Sequence, residues 1–260
     1  MWYLPTADFQ GRVLGSFPTQ ADEQVVPRGW LERLPALAKE TQVPEIGCDP
    51  ARFGKDRTAI ATRQGPALLR IRVLRQMDNL QVTAALKEEA AWAAAQAGLP
   101  PEAAKRIPIR IDVTGGLGTG PYDILRSEEY LAIPVIAGSA PIDKEQFVNK
   151  RSELWFQTRY RVQEKRMDLS RLPQVDRETV VRELAAPKYK VDGRGRKVVE
   201  EKQKTKDTLG YSPDVADGVN LAYGHVGRWW EDADLKAYLV ARGSAPASEA
   251  AASRLPAWVT

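Results

Sequence analysis

The chain has 260 residues, 43% of them hydrophobic and 28% charged, and its net charge is +4. No apolar run approaches the roughly 20 residues that a membrane-spanning helix needs, and no signal-peptide pattern opens the chain, so we expect an intracellular protein. Cys48 and His225 are the only cysteine and histidine, which excludes a disulfide framework and a metal site built from these residue types. Any metal chemistry must therefore use carboxylates, which are the preferred ligands of Mg²⁺ and Mn²⁺.

The first half of the chain predicts a linker followed by three strands. Residues 1–42 are irregular, with prolines, mixed charges and one short helical stretch at 31–40, and we interpret them as a linker. The elements that follow are strands at 44–50, 57–64 and 67–76, with a turn at Gly65-Pro66 between the last two, and an alanine-rich helix at 80–97.

The second half alternates strands with helices and then becomes mainly helical. Its predicted elements are a strand at 106–116, a helix at 119–129, a strand at 132–138, a long charged helix at 144–167, a helix near 174–184, a β-hairpin at 188–202 with its turn around Asp192-Gly193, and a last helix at 212–226. Ser212 is the predicted N-cap of the last helix, with Pro213 in its first turn. Together these elements predict an α/β fold with a mixed sheet of five or more strands, helices on both faces, and a hairpin inserted before the last helix.

Four aspartates stand at the ends of these predicted elements. Asp49 ends the first strand, Asp112 ends the fourth, and Asp214 and Asp217 open the last helix. The i, i+3 spacing places the two helix acids on one side of a turn. They flank an apolar stripe that would pack on the sheet, formed by Val215, Val219, Ala222 and Val226. If the first and fourth strands are neighbours, their carboxylates meet at one edge, and the helix can bring a third.

Such a cluster of acids implies cations. Taken alone, Asp49 is more often a turn-capping residue, and Asp214 alone simply favours a helix N-terminus. Three or four clustered carboxylates, however, repel one another unless cations neutralise them. Two Mg²⁺ ions about 4 Å apart, bridged by one aspartate, are a known arrangement for phosphodiester hydrolysis, in which one ion activates water and the other stabilises the leaving 3′ oxygen. We therefore expect Asp49 to bridge two Mg²⁺ or Mn²⁺ ions.

Two groups of basic residues are candidates for contact with a nucleic-acid backbone. One opens the long charged helix and comprises Lys150 and Arg151. The other lies on the hairpin and just after it, and it comprises Arg194, Arg196, Lys197, Lys202, Lys204 and Lys206. Backbone contacts of this kind carry no sequence information, and a run of charges is more commonly only a solvated surface.

Four segments share their order and spacing with a known family: IGCDPARFGKDRTAI, IDVTGGLGTGPYDILRSE, VNKRSELWF, and YKVDGRGRKVVEEKQKTKDTLGYSPDVADGVNLAYG. Together they resemble the nuclease domain of the large terminase subunits of tailed bacteriophages. The resemblance covers about 43–224 and implies a ribonuclease-H-like fold. It further implies that Asp49, Asp112 and an acid of the Asp214/Asp217 pair bind the metals. The DVAD segment is similar to the one that closes the site in Holliday-junction resolvases of the same fold.

We expect three parts: a linker at 1–42, which resembles the one joining a terminase ATPase domain to its nuclease domain; a nuclease domain at 43–228; and a C-terminal tail at 229–260, which is rich in alanine, serine and proline. The resemblance also makes functional predictions. It implies an endonuclease that cuts concatemeric viral DNA during packaging in the cytoplasm of the infected bacterial host. Its partners would be double-stranded DNA, the portal protein, the small terminase subunit and an ATPase domain.

A motor function is not expected of this chain. GCDPARFGKD is not a phosphate-binding loop, because the spacing from Gly47 to Gly54 is wrong and Asp56 replaces the Ser or Thr that would hold Mg²⁺. We expect an excised nuclease domain or the product of a truncated gene, which does not pump DNA by itself. Two alternatives stay open: a Holliday-junction resolvase or ribonuclease H with the same acids, and a non-catalytic DNA-binding or docking module in which the acids are relics.

Overall fold

A mixed sheet of five strands forms the centre of the protein. The computed structural model describes residues 24–38, 42–51 and 57–225. The strands are β1 (Pro44–Asp49), β2 (Thr58–Gln64), β3 (Ala67–Leu74), β4 (Ile109–Asp112) and β5 (Ala132–Val135), in the order β3-β2-β1-β4-β5. β1, β2 and β3 pair antiparallel, whereas β4 pairs parallel with both β1 and β5. All five predicted strands are present, and the first and fourth are neighbours, as the predicted cluster of acids requires.

Helices cover both faces of this sheet. They are α1 (Arg28–Leu31), α2 (Asn79–Gln96), α3 (Thr119–Ser127), α4 (Lys150–Gln163), α5 (Gln174–Leu184), α6 (Lys202–Leu209) and α7 (Asp214–Tyr223), with short 3-10 helices at Pro101–Arg106 and Thr114–Gly116. The predicted hairpin is present before α6 as β6 (Tyr189–Val191) and β7 (Lys197–Val199). In the part of the chain that the structure describes, none of the helices has the length and apolar character needed to cross a bilayer.

The alternation of side chains along the strands gives each face its own core. On one face, large strand residues pack against α2, among them Ile46, Ile60, Ile109 and Ile111. On the other face, the small residues Ala59 and Ala61 join a core formed with α4, α5 and α7. Because successive residues of a strand point to opposite faces, Asp49 shares the second face with Gly47. The side chains on this face of the sheet are therefore small where α7 packs on it.

The predicted helix at 144–167 begins later than expected. Helix α4 starts at Lys150, because the Asn149 side chain caps it by accepting a hydrogen bond from the Ser152 N–H (2.9 Å). The preceding loop is held by Asp143, whose side chain accepts the N–H of Gln146 (2.9 Å). A polar side chain that bonds nearby backbone groups in this way stabilises a turn at the expense of a continuous helix.

Two further predictions near the end of the described chain are corrected. Pro213, not Ser212, occupies the N-cap position of α7, and the Ser212 hydroxyl instead donates to Asp214 Oδ1 (2.5 Å). The basic run after the hairpin, for which no helix was predicted, forms helix α6. That helix ends at Gly210, which has the left-handed conformation (φ 77°) that glycine adopts most easily.

Part of the predicted linker belongs to the core. Val25 and Val26 are fully buried, and Leu31 of α1 is buried beside them. The Val25 N–H donates to the carbonyl oxygen of Pro187 (2.9 Å), which ties this segment to the chain just before the hairpin. The predicted linker is thus not wholly outside the domain. The predicted tail at 229–260 lies outside the described residues, as do 1–23, 39–41, 52–56 and 226–228.

Candidate metal centre

Asp49 ends β1 at the edge of the sheet where the parallel strands have their carboxyl ends. It pairs with Ala59 of β2 and is only 8% exposed. Just beyond it, the Thr58 hydroxyl accepts the Ala51 N–H (3.0 Å) and donates to the Ala51 carbonyl (3.1 Å), which fixes the direction of the chain. The following turn, with Asp56, lies outside the described residues.

Asp112 ends the neighbouring strand beside Asp49. The parallel register pairs Cys48 with Ile111, so the two aspartates follow at adjacent positions of the sheet edge. Asp112 Oδ1 accepts the N–H of Thr114 (2.8 Å), and a glycine-rich turn follows. A Cβ at Gly118 would lie 2.1 Å from the Asp112 carbonyl oxygen, so glycine is required where the chain returns past the strand end.

A glycine in β1 lets α7 bring the remaining acids to the same edge. A Cβ at Gly47 would lie 2.2 Å from the carbonyl oxygen of Gly218 in α7, a distance that no side chain can occupy. The helix consequently packs directly on the strand backbone. Asp214 and Asp217 occupy the first turn of α7, where the positive end of the helix stabilises their charges.

The side chain of Lys202 joins three of the four predicted ligands. Its Nζ lies 2.7 Å from Asp49 Oδ2, 2.9 Å from Asp217 Oδ2 and 3.2 Å from Asp214 Oδ1. Asp214 and Asp217 follow Asp49 by 165 and 168 residues in the sequence. All three acids nevertheless converge on one cationic nitrogen. Asp112 lies beside this group at the end of β4. Sequence reasoning grouped Lys202 with the candidates for nucleic-acid contact and missed its contact with the acids, because nothing in the basic run distinguishes it from the lysines that follow.

The electrostatics of these acids explain why a cation is present. Burial, the largest cause, together with the negative charges of Asp217 and Asp112, raises the pKa of Asp49 to about 8, although Lys202 opposes this shift. Burial alone would lower the pKa of Lys202, but the carboxylates of Asp217, Asp49 and Asp214 raise it well above its ordinary value. Lys202 therefore stays a cation, and burial favours the protonated form of Asp49.

The donor set fits a hard divalent cation. Mg²⁺ and Mn²⁺ prefer carboxylate oxygens, and Lys202 Nζ marks a point within hydrogen-bond distance of three of them. Within the described ranges, no three His, Cys, Asp or Glu side chains are already spaced as ligands of one ion. A cation at this point would therefore take the place of the Lys202 ammonium group.

The predicted DNA contacts on the hairpin differ in their surroundings. Arg194 at the hairpin tip and Lys204 of α6 are exposed. Arg196 is held by Asp192, with Nη2 to Oδ2 at 2.8 Å. The Lys197 ammonium group lies over aromatic rings, and burial lowers its pKa. Arg194 and Lys204 are consequently the candidates best placed to meet a ligand.

The other predicted pair, Lys150 and Arg151, is turned towards the protein. Lys150 is buried and its Nζ lies 2.5 Å from Glu153 Oε2. The Arg151 guanidinium donates to the Glu200 carbonyl and lies over the Trp155 ring, 5.9 Å from its centroid. Both side chains are committed to contacts within the protein, which argues against the predicted contact with phosphate.

The fold is that of solved terminase nuclease domains. The nuclease domain of the large terminase subunit gp2 of bacterial virus Sf6 matches with a TM-score of 0.62 at 18% identity, covering 78% of this chain and 99% of its own. A variant of that domain with manganese matches equally well, with a TM-score of 0.62 at 18% identity over 78% of this chain and 99% of its own. The large terminase nuclease from thermophilic phage G20c with bound magnesium matches with a TM-score of 0.53 at 15% identity, covering 78% of this chain and 98% of its own.

At such low identity the likeness establishes the fold. It confirms the predicted ribonuclease-H-like α/β architecture, including the five-stranded mixed sheet with helices on both faces. No protein-family model and no curated protein matches the chain.

Proposed function

We propose that the chain is a divalent-metal-dependent endonuclease that cuts concatemeric viral DNA during genome packaging. The observation that carries the proposal is the convergence of Asp49, Asp214 and Asp217 on one cation, Lys202, with Asp112 beside them at the same sheet edge. Clustered acids of this kind destabilise a fold unless they are neutralised, so their placement together supports a functional role. The fold shared with terminase nuclease domains supports the choice of reaction.

Asp49, Asp112, Asp214 and Asp217 would hold two Mg²⁺ or Mn²⁺ ions. Solved nuclease domains of the same fold with manganese and with magnesium support this assignment. When bound, such ions supply an activated water and stabilise the leaving oxygen of a phosphodiester. Asp49 would bridge the two ions in this proposal, because it lies beside Asp112 at the sheet edge and shares the Lys202 ammonium group with the helix acids.

The remaining residues of the proposed site would bind DNA or hold the acids in place. The exposed Arg194 and Lys204 would contact the phosphate backbone of double-stranded DNA without reading its sequence. The two helix acids differ in their hydrogen bonds, because Asp214 also accepts one from the Ser212 hydroxyl. By the same resemblance, the portal protein, the small terminase subunit and an ATPase domain are the proposed partners, in the cytoplasm of the infected bacterial host.

The test is cleavage of supercoiled plasmid with Mn²⁺ or Mg²⁺. We expect nicking and linearisation that excess EDTA abolishes. Asp49→Ala should be inactive, whereas Asp214→Ala and Asp217→Ala should be crippled with residual activity in Mn²⁺, because the partner acid remains. Asp207→Ala, which removes an exposed acid of α6 outside the cluster, should cut like the parent chain.

Other outcomes would redirect the assignment. Undiminished cleavage in excess EDTA would refute metal dependence, and parental cutting rates in both Asp214→Ala and Asp217→Ala would remove α7 from the mechanism. Linear duplex, four-way junction and RNA–DNA hybrid should be compared in the same assay. Preference for a junction or a hybrid would indicate a resolvase or a ribonuclease H, and Mn²⁺ binding without cleavage of any substrate would indicate a non-catalytic module.

A further inference from the structure

Glu183 of α5 is a fully buried acid that lies outside the carboxylate cluster. It is 0% exposed, and its two carboxylate oxygens have different partners. Oε1 accepts a hydrogen bond from Arg57 Nη2 (2.9 Å), and Oε2 accepts the backbone N–H of Ala216 (3.0 Å). A buried carboxylate is costly unless it is paired and hydrogen-bonded, and here both conditions are met.

The bond to Ala216 fixes the first turn of α7. The first four N–H groups of a helix have no partner within it, and Pro213 at the N-cap position supplies no side-chain cap. Glu183 takes over this role from another helix. Because Ala216 lies between Asp214 and Asp217, the same bond sets where both acids leave the helix.

Arg57 carries the constraint on to Asp214 itself. Its backbone N–H donates to Asp214 Oδ2 (3.0 Å), and its Nε lies 3.6 Å from the same oxygen. Its guanidinium is held in turn by Glu183, by the Ser212 carbonyl (3.0 Å) and by stacking over the Tyr211 ring (4.9 Å to the centroid). With Oδ2 occupied in this way, Asp214 Oδ1 is the oxygen that faces Lys202.

We propose that Glu183 is a positioning residue of the metal centre, which fixes Arg57 and the first turn of α7 and thereby orients Asp214. The inference rests on the proposed function in so far as Asp214 is a metal ligand. Groups that orient metal ligands through hydrogen bonds commonly change metal affinity or activity about 10- to 100-fold when they are removed. Neither Glu183 nor Arg57 is marked by any pattern in the sequence.

The test compares Glu183→Gln with Glu178→Gln, an exposed glutamate of the same helix. Glutamine keeps the shape of Glu183, but its NH₂ group cannot accept one of the two hydrogen bonds. We expect Mn²⁺ binding, measured by electron paramagnetic resonance of free Mn²⁺, to weaken about tenfold. At saturating Mn²⁺, kcat should fall while DNA affinity stays unchanged. Glu178→Gln should match the parent chain in all three readouts.

A double-mutant cycle separates positioning from a general loss of stability. If Glu183 acts mainly through Asp214, Glu183→Gln should weaken Mn²⁺ binding much less in an Asp214→Ala background than in the parent chain, because only the effect on Asp217 remains. Additive effects, or a folded Glu183→Gln with parental Mn²⁺ affinity and kcat, would overturn the inference. Should Glu183→Gln fail to fold, Arg57→Lys provides the second variant, because it keeps the charge and the backbone N–H but loses the forked contact to Glu183 and the Ser212 carbonyl.

The proposed function and this inference can fail separately. Mn²⁺ binding by the parent chain without cleavage would refute the nuclease proposal, while the binding arm would still decide the role of Glu183. Cleavage by the parent chain with unaltered Glu183→Gln would refute the inference alone. Absence of both Mn²⁺ binding and cleavage in the parent chain would overturn both.

Discussion

Replacing Lys202 by alanine should increase the affinity of the site for Mn²⁺. The Lys202 ammonium group occupies the point on which Asp49, Asp214 and Asp217 converge, so a divalent cation must displace it. In Lys202→Ala the acids lose their cation and gain no replacement. The variant should therefore be less stable than the parent chain without metal and should gain more from added Mn²⁺.

The structure sets the size of this effect. The Lys202 side chain is 39% exposed, so its contacts are discounted towards the values for solvent-screened ion pairs. At roughly 0.2–1 kcal/mol for each of three pairs, the displaced interactions amount to about 1–3 kcal/mol. That corresponds to an increase of about 5- to 150-fold in apparent Mn²⁺ affinity. With Mn²⁺ in excess, the extra stabilisation raises Tm by roughly 2–12 °C more than in the parent chain.

Circular dichroism can measure this difference in Tm. Each protein is first treated with chelator and then unfolded by heat with and without Mn²⁺. Lys204→Ala is the matched control, because this exposed lysine lies two residues further along the same helix. Its shift on adding Mn²⁺ should equal that of the parent chain. A shift in Lys202→Ala that is no larger than the parental one would refute the competition between Lys202 and a metal ion.

Three further predictions follow from the geometry. Because the raised pKa of Asp49 means that its proton stabilises the native state, the contribution of Asp49 to the stability of the metal-free protein should fall as the pH rises from 3.8 towards about 8, and the Tm advantage of Asp49→Asn should widen between pH 5 and pH 8; a narrowing gap would contradict this. Arg194→Glu should weaken duplex binding and reduce the slope of log K against log salt by about one, whereas an unchanged slope would exclude Arg194 from the interface. Gly47→Ala should lower the free energy of unfolding in urea by about 1–3 kcal/mol or more, because its Cβ would meet the α7 backbone at 2.2 Å. Gly138→Ala serves as the control, because a Cβ there would lie in open space.

The sheet and its acids could be predicted because their signals are local. The apolar runs of the strands are short and bounded by glycine and proline, and the acids stand at the ends of those runs. One condition, that β1 and β4 are neighbours, then placed Asp49 beside Asp112. The i, i+3 spacing placed Asp214 and Asp217 on one turn of helix.

The rest of the site depends on contacts between distant parts of the chain. Lys202 meets Asp49 across 153 residues, and Arg57 meets Glu183 across 126. A basic residue in a charged run has the same local pattern whether it is solvated or inside a site, so its partners decide its role. Lys150 shows the converse, since a lysine that looks exposed in the sequence is buried against Glu153.

In the proposed metal centre, charge balance favours two divalent ions over one. If all four aspartates of the cluster are ionised, they carry a charge of −4, and Lys202 offsets only one of these charges. Arg57 and Glu183 cancel each other, so they leave the balance unchanged. In the metal-free state the deficit is reduced by the raised pKa of Asp49, which favours its protonated form, and by the positive end of α7. If Asp49 were ionised and Lys202 displaced, two divalent ions would match the four carboxylates of the proposed centre, whereas a single ion would leave half of their charge unbalanced.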